Sequence, residues 1–157
     1  MAIYKVCGIG EKKKFSDSNS YIDSLNYIYF KDNKAAFIGG ANISSAENAA
    51  KEMQEVAASF GKDKGKRVRH SMLSFAKNEN VSAEKANEYA QNIIRHYAPE
   101  YQIAYAVHDN TDDTHIHFVM NQISFVDGHR YRGQKKDYYD FMKHMKKVTH
   151  FPIIPQK

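Results

Sequence analysis

The chain has one cysteine in 157 residues, and no apolar run approaches the roughly 18 residues a membrane span needs. Lone Cys7 excludes an internal disulfide and reads as a small buried apolar side chain in the first strand. No charged-then-apolar leader opens the sequence; Met1 to Gly10 reads as a strand instead. These absences favour the cytoplasm and exclude a disulfide-stapled or membrane-spanning class. No internal repeat, low-complexity tract or linker interrupts the chain. The length therefore suggests one domain over 1–150, with an irregular tail at 151–157 that holds Pro152 and Pro155. Hydrophobic residues at 42% and charged residues at 26% describe a soluble globular protein with enough apolar side chain for a core.

Basic residues number 23 against 18 acidic ones, a net charge of +5. That bias is compatible with nucleic acid and does not prove it. Its distribution is more telling. Lys12, Lys13 and Lys14 form one cluster. Lys62, Lys64, Lys66, Arg67 and Arg69 form a second, and Arg130, Arg132, Lys135 and Lys136 a third. Any one of them reads as solvated surface. Three beside predicted loops suggest a phosphate-binding rim.

The order of elements is that of an α+β fold. Ala2 to Cys7 alternates like a strand, and Asp17 to about Phe30 has helical spacing. Ala35 to Ile38 reads as a short strand ended by Gly39 and Gly40. Ser44 and Glu47 match a capping box, which starts a helix that Gly61 ends. Val68 to Phe75 reads as a strand. Ser82 caps a third helix, with Pro99 just beyond its end. An apolar run from Tyr101 to Val107 precedes His108, and Asp127-Gly128 marks a turn. Asp137 to about Val148 reads as a closing helix, followed by the irregular tail from Phe151.

The richest segment is His108-Asp-Asn-Thr-Asp-Asp-Thr-His115-Ile-His117-Phe-Val-Met-Asn121. Strand side chains alternate, so His115 and His117 project from one face. The polar residues between His108 and His115 read as a turn. A hairpin there brings His108 beside the other two. One strand histidine is usually a satisfied polar residue; three converging imidazoles make a metal site with open positions. Asn121 shares the parity of His115 and His117.

A metal at such a site activates a water or polarises a phosphate, and the choice depends on whether the chain supplies a nucleophile. On the first helix the apolar stripe is Tyr21, Ile22, Leu25, Ile28 and Tyr29. Tyr27 lies on roughly the opposite side and is free to face a cleft, although an ordinary surface tyrosine would look the same.

In sequence, His108-x6-His115-x-His117-x3-Asn121 resembles the third motif of MobA/VirD2-like plasmid mobilisation relaxases, a branch of the HUH endonucleases. Leu25-Asn26-Tyr27-Ile28 with Lys34-Ala35 is similar to their first motif, and Arg69-His70-Ser71-Met72-Leu73-Ser74-Phe75 to their second. Asp127-Gly128-His129-Arg130-Tyr131 and Asp137-Tyr138-Tyr139-Asp140-Phe141 are similar to the segment after the histidines. The resemblance spans Met1 to about Lys147.

The resemblance implies a mainly antiparallel central sheet with helices packed on it, a two-layer or three-layer sandwich. It implies a nuclease domain that nicks single-stranded DNA at an origin of transfer by tyrosine transesterification, for plasmid or conjugative-element mobilisation. Tyr27 would be the nucleophile, and His108, His115 and His117 the ligands of a divalent cation. Free tyrosine ionises near pH 10, so a cation or base must help it. Manganese or magnesium is usual for such enzymes, while imidazole ligands also suit zinc. His70, Ser74, Asp109 and Asn121 would stand behind the ligands or face DNA, and Lys66, Arg67, Arg69, Arg130 and Arg132 would meet its backbone. The sequence departs from the family at Asn110, where an Asp is frequent, so which carboxylate tunes the site stays open. Origin DNA, relaxosome accessory proteins and a coupling protein are the implied partners, and no membrane. Two other readings remain. One is an HUH single-strand transposase or rolling-circle replication initiator, whose tyrosine follows the histidines as Tyr138 and Tyr139 do. The other is a non-catalytic, metal-stabilised nucleic-acid-binding module.

Overall fold

The computed structural model describes residues 1–8 and 14–156. Lys12, Lys13 and the end of the expected first strand lie outside them. The strands are β1 (Ala2–Val6), β2 (Ala35–Ala41), β3 (Val68–Phe75), β4 (Ile103–His108), β5 (His115–Asn121) and β6 (Ile153–Pro155). The helices are α1 (Ser20–Tyr29), α2 (Ala49–Ser59), α3 (Ala83–Ile93) and α4 (Lys135–Thr149). The strands form one sheet in the order β2-β4-β5-β3-β1-β6. Among the described residues, only β1 and β6 pair in parallel; the other four neighbouring pairs are antiparallel.

Strand alternation divides the interior into two cores. Ile103, Tyr105, Ile116, Phe118, Leu73 and Phe75 point one way and meet Ile93, Phe141 and Met145 of α3 and α4. Val68, Ala104, Ala106 and Val119 point the other way and meet Tyr21, Leu25, Ile28, Met53 and Ala57 of α1 and α2. The result is a three-layer α+β sandwich, in agreement with the expected mainly antiparallel sheet under helices. Ala104 and Ala106 leave shallow ground on β4, which lets α1 approach the sheet where the histidines emerge.

Three local readings change. β2 runs through Gly39 and Gly40 to Ala41 rather than stopping before them. A Cβ on Gly39 would lie 2.5 Å from the Tyr105 ring, and one on Gly40 would lie 2.8 Å from the Ile103 carbonyl. Here glycine marks a close approach within a strand rather than its end. Helix α2 starts at Ala49, not after Ser44. The Ser44 main-chain N–H donates to the Glu52 carboxylate at 2.8 Å, and the Asn48 N–H to Ser45 Oγ at 3.2 Å. Those bonds hold a turn where the capping box was expected. The tail read as irregular places Ile153–Pro155 on β1, where proline is tolerated because the strand is an edge. By contrast, Ser82 caps α3 as expected, accepting from the Lys85 N–H at 3.1 Å.

Candidate metal centre

The β4–β5 hairpin sets His108 directly opposite His115, and Ala106 opposite His117. All three imidazoles emerge on the α1 side. Their ring centroids lie 4.5 Å (His108–His117), 5.0 Å (His115–His117) and 5.3 Å (His108–His115) apart. One nitrogen from each falls within 4.8 Å of the others. A tetrahedral ion with bonds of about 2.1 Å needs donors about 3.4 Å apart. Small side-chain rotations close that difference.

The rings are also oriented for ligation. His108 Nε2–H donates to the Ile28 carbonyl at 2.9 Å, which leaves Nδ1 free. His115 Nδ1–H donates to the Asp113 carbonyl at 3.0 Å, which leaves Nε2 free. His117 Nδ1 lies 2.9 Å from His70 Nε2, so its Nε2 is the nitrogen turned outward. Metal-bound histidines are commonly held this way through their second nitrogen. Burial, followed by the neighbouring His70, His108 and His115, pushes the His117 pKa down to about 2. Burial also lowers that of His108. His108 and His117 are therefore held neutral near pH 7, the form that binds a cation. Donor type, spacing and protonation all fit a divalent ion.

Tyr27 stands above them on α1. Its side chain is 44% exposed, whereas Tyr21, Leu25, Ile28 and Tyr29 of the same helix are buried. The Tyr27 ring meets both His117 and His70 at 5.7 Å between centroids, and Lys31 Nζ lies 5.3 Å from its centre. Two cavities open on either side of it. One of about 560 Å³ is lined by Lys5, Lys14, Phe15, Ser24, His70 and His117 as well as Tyr27. The other, of about 200 Å³, is lined by Lys31, Lys34, His108, His115 and His117 with Tyr27. A chain of phosphates passing over Tyr27 would meet a lysine pair on each side.

The remaining expected residues separate. His70 joins the centre, and Ser74 lies opposite His115 on the same sheet face. Asp109 is exposed at the hairpin turn, and among the described residues no side-chain carboxylate accepts from His108, His115 or His117. Asn121 has the expected parity, but its amide donates to the carbonyl of Met53 at 3.0 Å and to Gln102 Oε1 at 2.9 Å. Its Oδ1 accepts from the Ile123 N–H at 3.1 Å.

The basic rim is also divided. The Arg67 guanidinium donates to the carbonyls of Ser16, Gly65 and Asp63. That of Arg130 donates to the carbonyls of Lys66, Lys62 and Lys64. Both staple loops. Arg69 is on the opposite strand face, 5.3 Å from the Tyr131 ring. Lys66 is half-buried, with its pKa lowered by burial and by Arg69. Arg132 lines a separate cavity of about 750 Å³ with His96, Tyr101 and His129. Among the described residues, the cations beside the histidines are instead Lys5, Lys14, Lys31 and Lys34. Of these only Lys14 stood out as part of a charge cluster. Lys31 had a usable signal, since it follows Tyr27 by one helical turn.

The fold is thus a mainly antiparallel sheet with three histidines on a central hairpin that could hold a metal ion, and a half-exposed tyrosine on the covering helix beside them. The family model "Relaxase: MobA/VirD2-like, nuclease domain" matches residues 21–150, so the chain belongs to the MobA/VirD2-like relaxases, in their nuclease domain. Relatives include two proteins named "Protein rlx" from Staphylococcus aureus. One is 27% identical over 146 residues, covering 92% of this chain and 43% of its own length. The other is 26% identical over 130 residues, covering 83% of this chain and 39% of its own length. The chain thus spans about two fifths of these relatives.

Proposed function

We propose that this domain nicks single-stranded DNA at an origin of transfer, with Tyr27 as nucleophile, for mobilisation of a plasmid or conjugative element. The observation that supports this most is the ring of Tyr27, exposed and seated against His117, one residue before the carbonyl that orients His108. Tyr27 Oη attacks the scissile phosphorus and the P–O3′ bond breaks. The 5′ phosphate remains on Tyr27, and the departing 3′ oxygen takes a proton to become a hydroxyl. Bond energy is kept in the phosphotyrosine, so the strand can be resealed without ATP.

His108, His115 and His117 would hold a divalent cation. When bound, it supplies Lewis-acid stabilisation of charge gathering on the phosphate oxygens. Manganese suits imidazole better than magnesium does, and zinc also fits. Lys31 and Lys34 on one side and Lys5 and Lys14 on the other would hold the flanking phosphates. Relaxosome accessory proteins and a coupling protein are the partners this role entails. The transposase-like alternative needs a tyrosine after the histidines. Tyr138 packs on Tyr4 at 5.6 Å, on the α4 side of the sheet, which argues against it as nucleophile.

A covalent-adduct gel tests the reading. The protein is incubated with manganese and a pool of labelled single-stranded origin DNAs, with Tyr27→Phe and a chelator as controls. A denaturant-stable adduct is expected with the unmodified chain and absent from both controls. An adduct that survives Tyr27→Phe would move the nucleophile elsewhere. DNA binding and metal uptake without any adduct would leave a binding module.

A further inference from the structure

Two of the three ligand histidines are oriented by main-chain carbonyls, which can only accept a hydrogen bond. His117 is different, because its partner is another imidazole. His70 Nε2 sits 2.9 Å from His117 Nδ1, and His70 is only 7% exposed. The two are diagonal neighbours on one sheet face, since β3–β5 pairing sets Met72 opposite His117 and His70 opposite Val119. A single proton lies between two nitrogens, and its side decides what the far nitrogen of His117 can do. If His70 Nε2 carries it, neutral His117 must be protonated at Nε2 and has no lone pair for a cation. If His117 Nδ1 carries it, Nε2 is free and His70 must be the Nδ1–H tautomer.

We propose that His70 is a positioning residue that acts as hydrogen-bond acceptor for His117, holding it in the one tautomer able to bind the metal. This rests on the metal reading given above and adds a role that a carboxylate commonly fills at other histidine centres. Here the acidic side chains of the hairpin turn take no such part. The requirement is specific: an acceptor, aimed at Nδ1, at a buried position. His70 therefore matters through lone-pair direction rather than charge or bulk.

The proposal is tested with His70→Leu and His70→Gln. Leucine fills the site without an acceptor; the glutamine amide oxygen restores one. Nitrogen-15 NMR of the metal-free protein reports which ring nitrogen of His117 is protonated. Manganese titration followed by calorimetry reports affinity, and circular dichroism checks the fold of each variant. We expect Nδ1–H at His117 in the unmodified chain and in His70→Gln, and Nε2–H in His70→Leu. Manganese affinity should fall about 10- to 100-fold in His70→Leu and stay within a few-fold in His70→Gln. Equal losses in both variants would assign His70 a merely structural role and overturn the proposal. Equal retention in both, or Nε2–H at His117 in the unmodified chain, would overturn it as well. Failure of the unmodified chain to take up manganese, with Nδ1–H intact at His117, would instead refute the metal reading and the role built on it, while leaving the imidazole pairing itself established.

Discussion

Replacing Asn121 with leucine separates a residue that builds the fold from one that builds the site. Asn121 is fully buried, and its amide joins three segments: Met53 on α2, Gln102 just before β4 and Ile123 just after β5. Leucine occupies a similar volume and removes all three bonds. Each is worth about 1 kcal/mol net, and the buried Gln102 oxygen and Ile123 N–H are left without that partner at a further cost of about 1 kcal/mol or more each. Added apolar contact recovers part of this, so the expected loss is about 3 kcal/mol. For a domain of this size that lowers Tm by roughly 6–12 °C. Urea unfolding in chelator, with the slope checked against the unmodified chain, measures it. Manganese affinity of the folded variant should remain within about twofold, because none of the three bonds touches a histidine. A loss under about 1 kcal/mol combined with a tenfold fall in manganese affinity would refute this reasoning and return Asn121 to the metal site.

Two further outcomes follow from features already described. Gly39→Ala puts a methyl group into the Tyr105 ring; overpacking of this kind costs about 1–3 kcal/mol, and thermal melting unchanged from the unmodified chain would contradict the close approach. Stability of the metal-free protein should fall on acidification, because burial, Lys14 and His108 lower the His70 pKa from 6.5 to about 4. The folded state then binds fewer protons than the unfolded one, so stability is full above about pH 6.5 and declines as pH drops towards 4. Between pH 6.5 and 5 the expected loss is about 1.5 kcal/mol from His70. His117 acts in the same direction, and a flat profile over that range would contradict burial of neutral rings.

The site was legible in the sequence where its geometry is local. Two histidines at i and i+2 share a strand face whatever the fold, and a polar turn can return the chain only to a nearby partner. Tyr27 was legible as a residue off the apolar stripe of its helix. His70 was placed near the site only by its resemblance to the second motif, because its contact with His117 depends on β3 pairing with β5, and nothing near either residue encodes that register. Asn121 shows the opposite limit: parity gave its face, while its partners come from α2 and from the residue before β4. Gly39 and Gly40 carry the composition of a strand end, and only the Tyr105 ring across the sheet explains them. The arginines at 67 and 130 could not be distinguished from phosphate ligands by charge, since a guanidinium that binds carbonyls looks the same in sequence.

The hydrogen bond from His108 to the Ile28 carbonyl spans eighty residues of chain. The β4–β5 register by itself sets the three imidazoles side by side on one face. It cannot finish them, because the acceptor that sets the His108 ring arrives only when α1 docks. The carbonyl that orients His108 belongs to Ile28, the residue after Tyr27. Ordering of the histidine cluster and docking of the helix that carries Tyr27 are thus linked through a single long-range hydrogen bond.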